Sequence, residues 1–364
     1  MINDNLLKNE ELAVYRLRSL YSGFGYTQYK MSKFEEYDLY VRNKDFLISD
    51  RVITFTDTNG KLLALKPDVT LSIITNLGKS IDAVHKMYYN ENVYRVSGAT
   101  GKFKEIMQTG LECIGNIGIY ESAEVLYLAI KSLELIDSDF SLEISHAMLL
   151  KEIINSNGFS ENVRERILQT IAVKSSGIVQ ELLASGSIDE KQAELIDVLC
   201  TSFSDISTFE KALAPFICDE STRKPYDELM SIINSVISRV NSGKLTLNFS
   251  LASDAGYYSG VVFKGFINGI PTSVLSGGQY DKLMKKLGNK GGAVGFAVYP
   301  DSFERFGAVT GEYDVDTVLL VTEEMSPQDI INAAEKIRAG GESVFVCSDI
   351  PQDLRYRRVI KTEG

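Results

Sequence analysis

The chain has 364 residues, 44% of them hydrophobic, with 38 basic and 49 acidic side chains for a formal net charge of −11. This length and apolar content can bury a large core and exceed the roughly 100 to 200 residues of one ordinary domain, so one large domain with appendages is expected, and the acidic balance makes nucleic acid a disfavoured partner. No run reaches the roughly 18 uncharged apolar residues of a membrane helix, and "MINDNLLKNEEL" lacks the basic-then-apolar order of a secretion signal, so no membrane association and a cytoplasmic location are expected.

From Asn9, the residues Ala13, Leu17, Leu20 and Phe24 recur at helical spacing, and Gly23 and Gly25 mark a stop before "YTQYKMSKF", which reads as a strand. "VITFTDTNGKLLALKPDVT" is two alternating runs around Asn59-Gly60, the dipeptide of a type I′ hairpin turn, where both central residues take positive φ. "TLSIITNLGK" reads as a helix. "HKMYYNENVYRV" and "KEIMQTGLECIG" read as strands flanking the glycine-bearing turn "VSGATGKFK", and "SAEVLYLAIKSLELI" as a helix with one apolar stripe. Beyond "DFSLEIS", helical patterns open at Ser160, at Ser187 with Glu190 and at Ser207 with Glu210, the last two as capping boxes, so residues 147–243 are expected to form a helical insertion. Strand texture returns in "KLTLNFSLASDAGYYSGVVFKGFINGIPTSVLSGGQYDKL", with Asn268-Gly269 a second hairpin signal. "DTVLLVTEEMSPQDIINAAEKIRAGGESVFVCS" then reads strand, helix, strand, a single βαβ unit too short for a full domain. Cys113, Cys200, Cys218 and Cys347 are far apart without a C-x-x-C pair, which suggests neither disulfides nor zinc and predicts four buried small hydrophobes.

The chemistry concentrates in "YRVSGATGKFKEIMQTGLECIG". Residues two apart in a strand share a face, so Gln108, Gly110 and Glu112 point one way and Met107, Thr109, Leu111 and Cys113 the other. Gly110 leaves a notch between two polar side chains, and Arg95 on the preceding strand offers a planar fork of donors suited to a carboxylate. Two readings are open on spacing alone: a small-ligand pocket, or a solvated sheet face on which Arg95 neutralises Glu112. The turn itself lacks the G-x-x-x-x-G-K-[ST] spacing of a P-loop and reads as a flexible loop rather than a phosphate cradle.

In their order, these motifs resemble the catalytic domain of histidyl-tRNA synthetases. "LALKPDVT" is similar to that family's L-R-P-E-G-T segment and "NVYRVSGATGKFKEIMQTGLECIG" to its motif 2. "DAGYYSGVVF" is similar to its second histidine motif, and "SGGQYDKL" with "GGAVGFAV" to its final strands and motif 3. The resemblance covers about residues 1–310. It implies an α+β fold, the class II synthetase-like antiparallel sheet flanked by helices, followed by a truncated α/β fragment at 311–364. It also implies a pocket for free histidine. Asp68 would take the α-amino group with Thr70 beside it, Arg95 the carboxylate, Gln108 and Glu112 the amino group and imidazole, with Tyr257 and Tyr258 as the paired tyrosines.

The nucleotide machinery departs from the family pattern. Ser253 stands at the catalytic arginine of R-G-L-D-Y-Y and Gly256 at its aspartate, Ser97 at the motif 2 glutamate, and Ser302 at the motif 3 arginine, with Arg305 displaced by about 300° of helix. Loss of one donor aimed at developing phosphate charge costs about 10²- to 10³-fold, so these departures argue against an adenylating enzyme. Ser32 replaces the proline that ends motif 1 at the family's dimer interface. The pattern is similar to a paralogous family, the regulatory subunits of ATP phosphoribosyltransferase, to which "LEISHAMLLKEIINSNGF" is also similar. That resemblance implies no catalysis, no cofactor and no metal, free histidine as ligand, and a homodimer within a hetero-oligomer with a catalytic short-form ATP phosphoribosyltransferase subunit. His146 then follows Ser145 at an expected helix N-cap, where packing is its ordinary role. A divergent histidyl-tRNA synthetase or other histidine-activating ligase, and a scaffold with a vestigial pocket, are the alternative readings.

Overall fold

A computed structural model describes residues 8–43, 52–77, 83–97, 100–175, 177–240, 243–252, 257–303, 313–322 and 324–361. The chain divides into two units, Met1–Phe306 and Gly307–Gly364. In the first unit the elements run α1 (Asn9–Gly23), β1 (Thr27–Gln28), β2 (Phe34–Glu36), α2 (Tyr37–Arg42), β3 (Thr54–Thr56), β4 (Leu62–Leu65), α3 (Val69–Leu77), β5 (His85–Val96), β6 (Phe103–Gly115), α4 (Ile119–Ile136) and β7 (Phe140–His146). The helical stretch follows: α5 (Ala147–Ser156), α6 (Glu161–Val173), α7 (Gly177–Ala184), α8 (Glu190–Cys200), the short β8 (Ser202–Phe203), α9 (Ile206–Leu213) and α10 (Glu220–Ile237). The unit closes with β9 (Leu245–Asn248), β10 (Val261–Ile267), β11 (Leu275–Gln279), α11 (Asp281–Lys286) and β12 (Gly292–Val298).

Nine strands form one sheet in the order β1-β5-β6-β12-β11-β10-β7-β9-β8, and β2-β4-β3 form a small antiparallel sheet. The large sheet is antiparallel except at β1 with β5 and β7 with β9. Its long central hairpin, β5 with β6, pairs His85 with Ile114 through to Val96 with Phe103. Both faces are covered, which is why β6 is buried from Gln108 to Gly115 instead of alternating in and out. One face packs Leu111 and Phe263 against Leu17, Leu126 and Ile130. The other packs Tyr89 and Ile114 against Leu71 and Ile74 of α3 and Leu283 and Met284 of α11.

The expected insertion is helical, but it does not stand apart from the sheet. Phe209, Leu213 and Ile233 belong to the same hydrophobic cluster as the sheet, and β8 pairs with β9 at its edge. Each such fully buried side chain contributes about 1.5 to 3 kcal/mol, so helices and sheet share one core.

The local signals need several corrections. The first hairpin forms, but Asn59 is not in the positive-φ region; only Gly60 is, at 82°, and its amide donates to Asp57 O, so the turn is type I followed by a left-handed glycine instead of type I′. Asp57 stabilises it by accepting from the Asn59 and Lys61 amides. Likewise Gly269 has φ 86° with Asn268 on the ordinary side, and a longer loop joins β10 to β11. The caps are Asp189 and Asp205, two residues away from the expected Ser187 and Ser207, each accepting from the third helical amide. A carboxylate at an N-cap adds a favourable interaction with the helix dipole that a hydroxyl lacks. "YTQYKMSKF" supplies two short strands in different sheets. Of the four cysteines only Cys113 is buried; Cys200 and Cys347 are half-buried, and Cys218, just before the Asp219 cap of α10, is exposed.

The second unit carries β13 (Val315–Leu320), α12 (Pro327–Ala339), β14 (Val344–Cys347) and β15 (Tyr356–Lys361), with both outer strands parallel to β13. The third strand, "YRRVIK", was not read from the sequence. Among the described residues, no helix is long and apolar enough to cross a membrane, and no group of three or more His, Cys, Asp or Glu side chains could hold a metal ion.

Candidate functional site

The seven residues singled out in the sequence, Asp68, Thr70, Arg95, Gln108, Glu112, Tyr257 and Tyr258, all line one cavity of about 90 Å³ on the α3 and α11 side of the sheet. Different elements deliver them. Asp68 precedes α3 and accepts from the Leu71 amide at 2.8 Å, so the helix start holds the carboxylate in place. Thr70, in the first turn, donates to Glu112 Oε1 at 2.6 Å. Gln108 and Glu112 rise from β6, and Arg95 comes from the end of β5.

Gln108 is 4% and Glu112 1% exposed, so the solvated-face reading of this strand does not hold. Nor does Arg95 neutralise Glu112. Arg95 Nε donates to Pro67 O at 3.0 Å, and its terminal nitrogens make no hydrogen bond among the described residues. Glu112 is held by two hydroxyls, Thr70 on Oε1 and Tyr280 on Oε2.

Room for this arrangement comes from glycines in register across the sheet. Glu112 pairs with Gly295, Gly295 with Gly278, and Gly110 with Ala297 and Tyr89. A Cβ at Gly295 would overlap Glu112 Oε2, one at Gly278 would sit 2.7 Å from the Tyr258 ring, and one at Gly110 would sit 2.6 Å from Tyr89 Oη. The notch inferred at Gly110 is therefore filled by a tyrosine hydroxyl from the neighbouring strand.

Electrostatically the cavity is acidic, with Asp68 and Glu112 both buried. Burial pushes Glu112 up to about 8, opposed by the Thr70 and Tyr280 hydrogen bonds and assisted by the Asp68 charge. Burial also raises Asp68, while the Leu71 amide and Arg95 pull it down. A cation entering between these carboxylates would be favoured, and a free carboxylate has the terminal nitrogens of Arg95 as its partner. Two residues before Asp68, Lys66 is fully buried and pairs with Glu91 at 2.9 Å, which braces the segment "KPD" against β5.

Three tyrosines of the site were missed in the sequence: Tyr89, Tyr280 and Tyr299. Tyr280 is the most consequential, since it holds Glu112 and packs 5.9 Å from the Tyr257 ring, itself 5.0 Å from Tyr258. It sits at the junction of β11 and α11, where neither strand nor helix periodicity assigns a direction; the only available signal was its place after the glycine pair in "SGGQY".

The positions that depart from the nucleotide-handling pattern fall variously. Ser97 closes a turn in which its amide donates to Lys102 O at 2.8 Å, and Ser302 ends a short 3-10 turn after β12. Ser253, Gly256 and Arg305 lie outside the described residues, as do Gly98 and Ala99 of the loop. Ser32 accepts from the Phe34 amide at 3.1 Å, opening β2. His146, not Ser145, is the N-cap of α5: its Nδ1 accepts from the Leu149 amide at 3.2 Å.

The histidyl-tRNA synthetase family profile matches residues 3–303. Among curated proteins, the chain is 28% identical over 336 residues to a protein of Clostridium kluyveri named ATP phosphoribosyltransferase regulatory subunit, covering 89% of this chain and 85% of that one. It is 25% identical over 352 residues to a protein of the same name from Alkaliphilus metalliredigens, covering 93% and 89%. Among solved structures, an ATP phosphoribosyltransferase regulatory subunit/histidyl-tRNA synthetase from Bacillus halodurans superposes with a TM-score of 0.76 at 24% identity, over 98% of this chain and 94% of that one. Histidyl-tRNA synthetase from Nostoc superposes with a TM-score of 0.70 at 16% identity, over 95% and 84%. A chain of an ATP phosphoribosyl transferase complex from Thermotoga maritima gives 0.63 at 19% identity, over 79% and 96%. The fold is that of the class II synthetases, α+β as expected, and the chain belongs to the histidyl-tRNA synthetase family.

Proposed function

We propose that this chain is a non-catalytic regulatory subunit of ATP phosphoribosyltransferase that binds free histidine in the cavity between Asp68 and Glu112 and transmits feedback control to a separate catalytic subunit at the first step of histidine biosynthesis. The observation that carries the reading is the pairing of buried carboxylates with a single arginine around one cavity of about 90 Å³. The ligand's ammonium would lie against Asp68, its carboxylate against Arg95, and its imidazole between Glu112 and the tyrosines.

Two further observations support the regulatory role over ligation. Serines occupy 253, 97 and 302, where an adenylating enzyme of this family needs charged groups. Those groups stabilise phosphate charge as it develops, and hydroxyls cannot replace them. The curated relatives carry the name of a regulatory subunit. The assembly this reading implies is a homodimer within a hetero-oligomer, in the cytoplasm.

Control follows by linkage: histidine shifts the complex only as far as it binds one arrangement more tightly than the other. Calorimetric titration of the full chain with histidine, alongside histidine-dependent exchange of pyrophosphate into ATP, tests the proposal. Saturable histidine binding without exchange is expected. Formation of histidyl-adenylate would overturn the regulatory reading, and absence of histidine binding, alone and with the catalytic subunit, would overturn the site.

A further inference from the structure

Tyr299 lines the cavity that holds Asp68 and Glu112, together with Ser276 and Ala297. Strand register fixes its place. Glu112 is level with Gly295 and Gly278, and Gly110 with Ala297 and Ser276; Val298 is level with Thr109, so Tyr299 follows beside Gln108. Successive rungs on this face are two residues apart, roughly 7 Å along the strands. The Glu112 rung is floored by two glycines and the next by an alanine and a serine, whereas the Gln108 rung carries a whole tyrosine ring.

Several bonds set the position of that ring. Tyr299 Oη lies 2.6 Å from Ser276 Oγ, so the side chain reaches from β12 across to β11. The Tyr299 amide donates to Val274 O at 2.9 Å, and its carbonyl accepts from the Ser302 amide at 3.0 Å. Pro300 follows, buried, with its φ fixed by its own ring. Asp301 then accepts from the Met107 amide at 3.0 Å, which ties the turn to β6. The backbone that carries Tyr299 is thus bonded to the strands on both sides, and a tyrosine side chain has few rotamers in which to move away.

In the histidine reading the imidazole occupies the Glu112 rung and the carboxylate meets Arg95. Arg95 lies beyond Glu91, which is level with Gln108, so the backbone end of the amino acid points toward the Tyr299 rung. The cavity of about 90 Å³ is well under the roughly 300 to 1,000 Å³ of pockets that enclose drug-sized ligands, and a group carried on that carboxylate would run into the ring. We propose that Tyr299, set by Ser276, is the specificity-determining wall of the site: it admits an amino acid whose carboxylate is free and excludes one whose carboxylate is joined to a further group, whether an amine, an alcohol or a nucleotide phosphate. This inference rests on the histidine reading. It adds a steric bar to adenylate formation, because the mixed anhydride would extend from the same carboxylate oxygen.

Titration calorimetry on the full chain with histidine, histidinamide and histidylglycine as separate probes tests it. Histidinamide has the size of histidine without the carboxylate charge and so measures the share due to Arg95, whereas histidylglycine keeps a carboxylate but extends past the first carbonyl. Wild type is expected to bind histidylglycine at least about 100-fold more weakly than histidine, and more weakly than histidinamide. Tyr299→Ala is expected to narrow the gap between histidine and histidylglycine by about tenfold or more, through a gain in affinity for the dipeptide. Tyr299→Leu should shift it the same way by less, and carries the test if the alanine variant does not fold. Tyr299→Phe keeps the ring and is expected to keep the exclusion. The wall is refuted, with the histidine reading intact, if wild type binds histidylglycine as tightly as histidine, if the opened variants bind histidine but gain nothing for the dipeptide, or if Tyr299→Phe opens the site as far as Tyr299→Ala. Absence of histidine binding by wild type would sink both.

Discussion

Replacing Glu112 with glutamine removes a buried charge while preserving the shape of the side chain, and its effect should depend on pH. Glu112 is 1% exposed and its carboxyl is pushed by burial from 4.5 to about 8. In the unfolded chain it ionises near 4.5. Between those two values the folded state holds a proton that the unfolded state has lost, so this group's contribution is fully present below pH 4.5 and is lost as pH rises through 8. At 1.36 kcal/mol per pH unit, the interval amounts to about 5 kcal/mol as an upper bound. Glutamine never ionises, and its amide can serve only one of the Thr70 and Tyr280 hydroxyls as acceptor, a constant penalty of about 1 kcal/mol. Urea unfolding of both proteins without ligand at pH 5, 6.5 and 8 should show the variant slightly less stable at pH 5 and more stable by a few kcal/mol at pH 8. A stability difference that stays the same across the three pH values would refute the argument that Glu112 is a desolvated carboxyl.

Three further outcomes are expected. Arg95→Ala should raise the dissociation constant for histidine about 10- to 100-fold by calorimetry, the equivalent of one charge-assisted hydrogen bond; an unchanged constant would place the carboxylate elsewhere. Gly295→Ala should lower stability by about 1 to 3 kcal/mol and abolish histidine binding, because the added methyl overlaps Glu112 and has backbone on its other side; a variant that binds normally would show the floor to be yielding. Lys66→Ala should cost about 3 to 5 kcal/mol in chemical denaturation by stranding Glu91, and a loss below 1 kcal/mol would mean that water reaches that carboxylate.

Much of this architecture was legible before folding. The alternation in "KEIMQTGLECIG" places Gln108 and Glu112 on one face, and β6 carries them there. The same alternation cannot say that both faces are buried, because helix α3 on one side and helices α1 and α4 on the other come from segments far away in the chain. Helix starts behaved in the same way. Serine and aspartate crowd the starts of α8 and α9, and their local preferences differ by too little to choose between Ser187 and Asp189. Packing set the choice, by deciding where each helix had to begin for Leu195 and Phe209 to reach the core.

What the order of residues determined by itself was periodicity and chemical type: where helices and strands lie, and which acids, tyrosines and arginine share a neighbourhood through the motifs that carry them. Only the tertiary structure decided who holds whom. Tyr280 reaches Glu112 from 168 residues away because β11 and β12 close the sheet beside β6. Tyr299 and Ser276 meet because β12 pairs with β11. Local preferences act over a few residues, whereas desolvation and hydrogen bonding inside a cavity depend on contacts that exist only after the sheet has assembled.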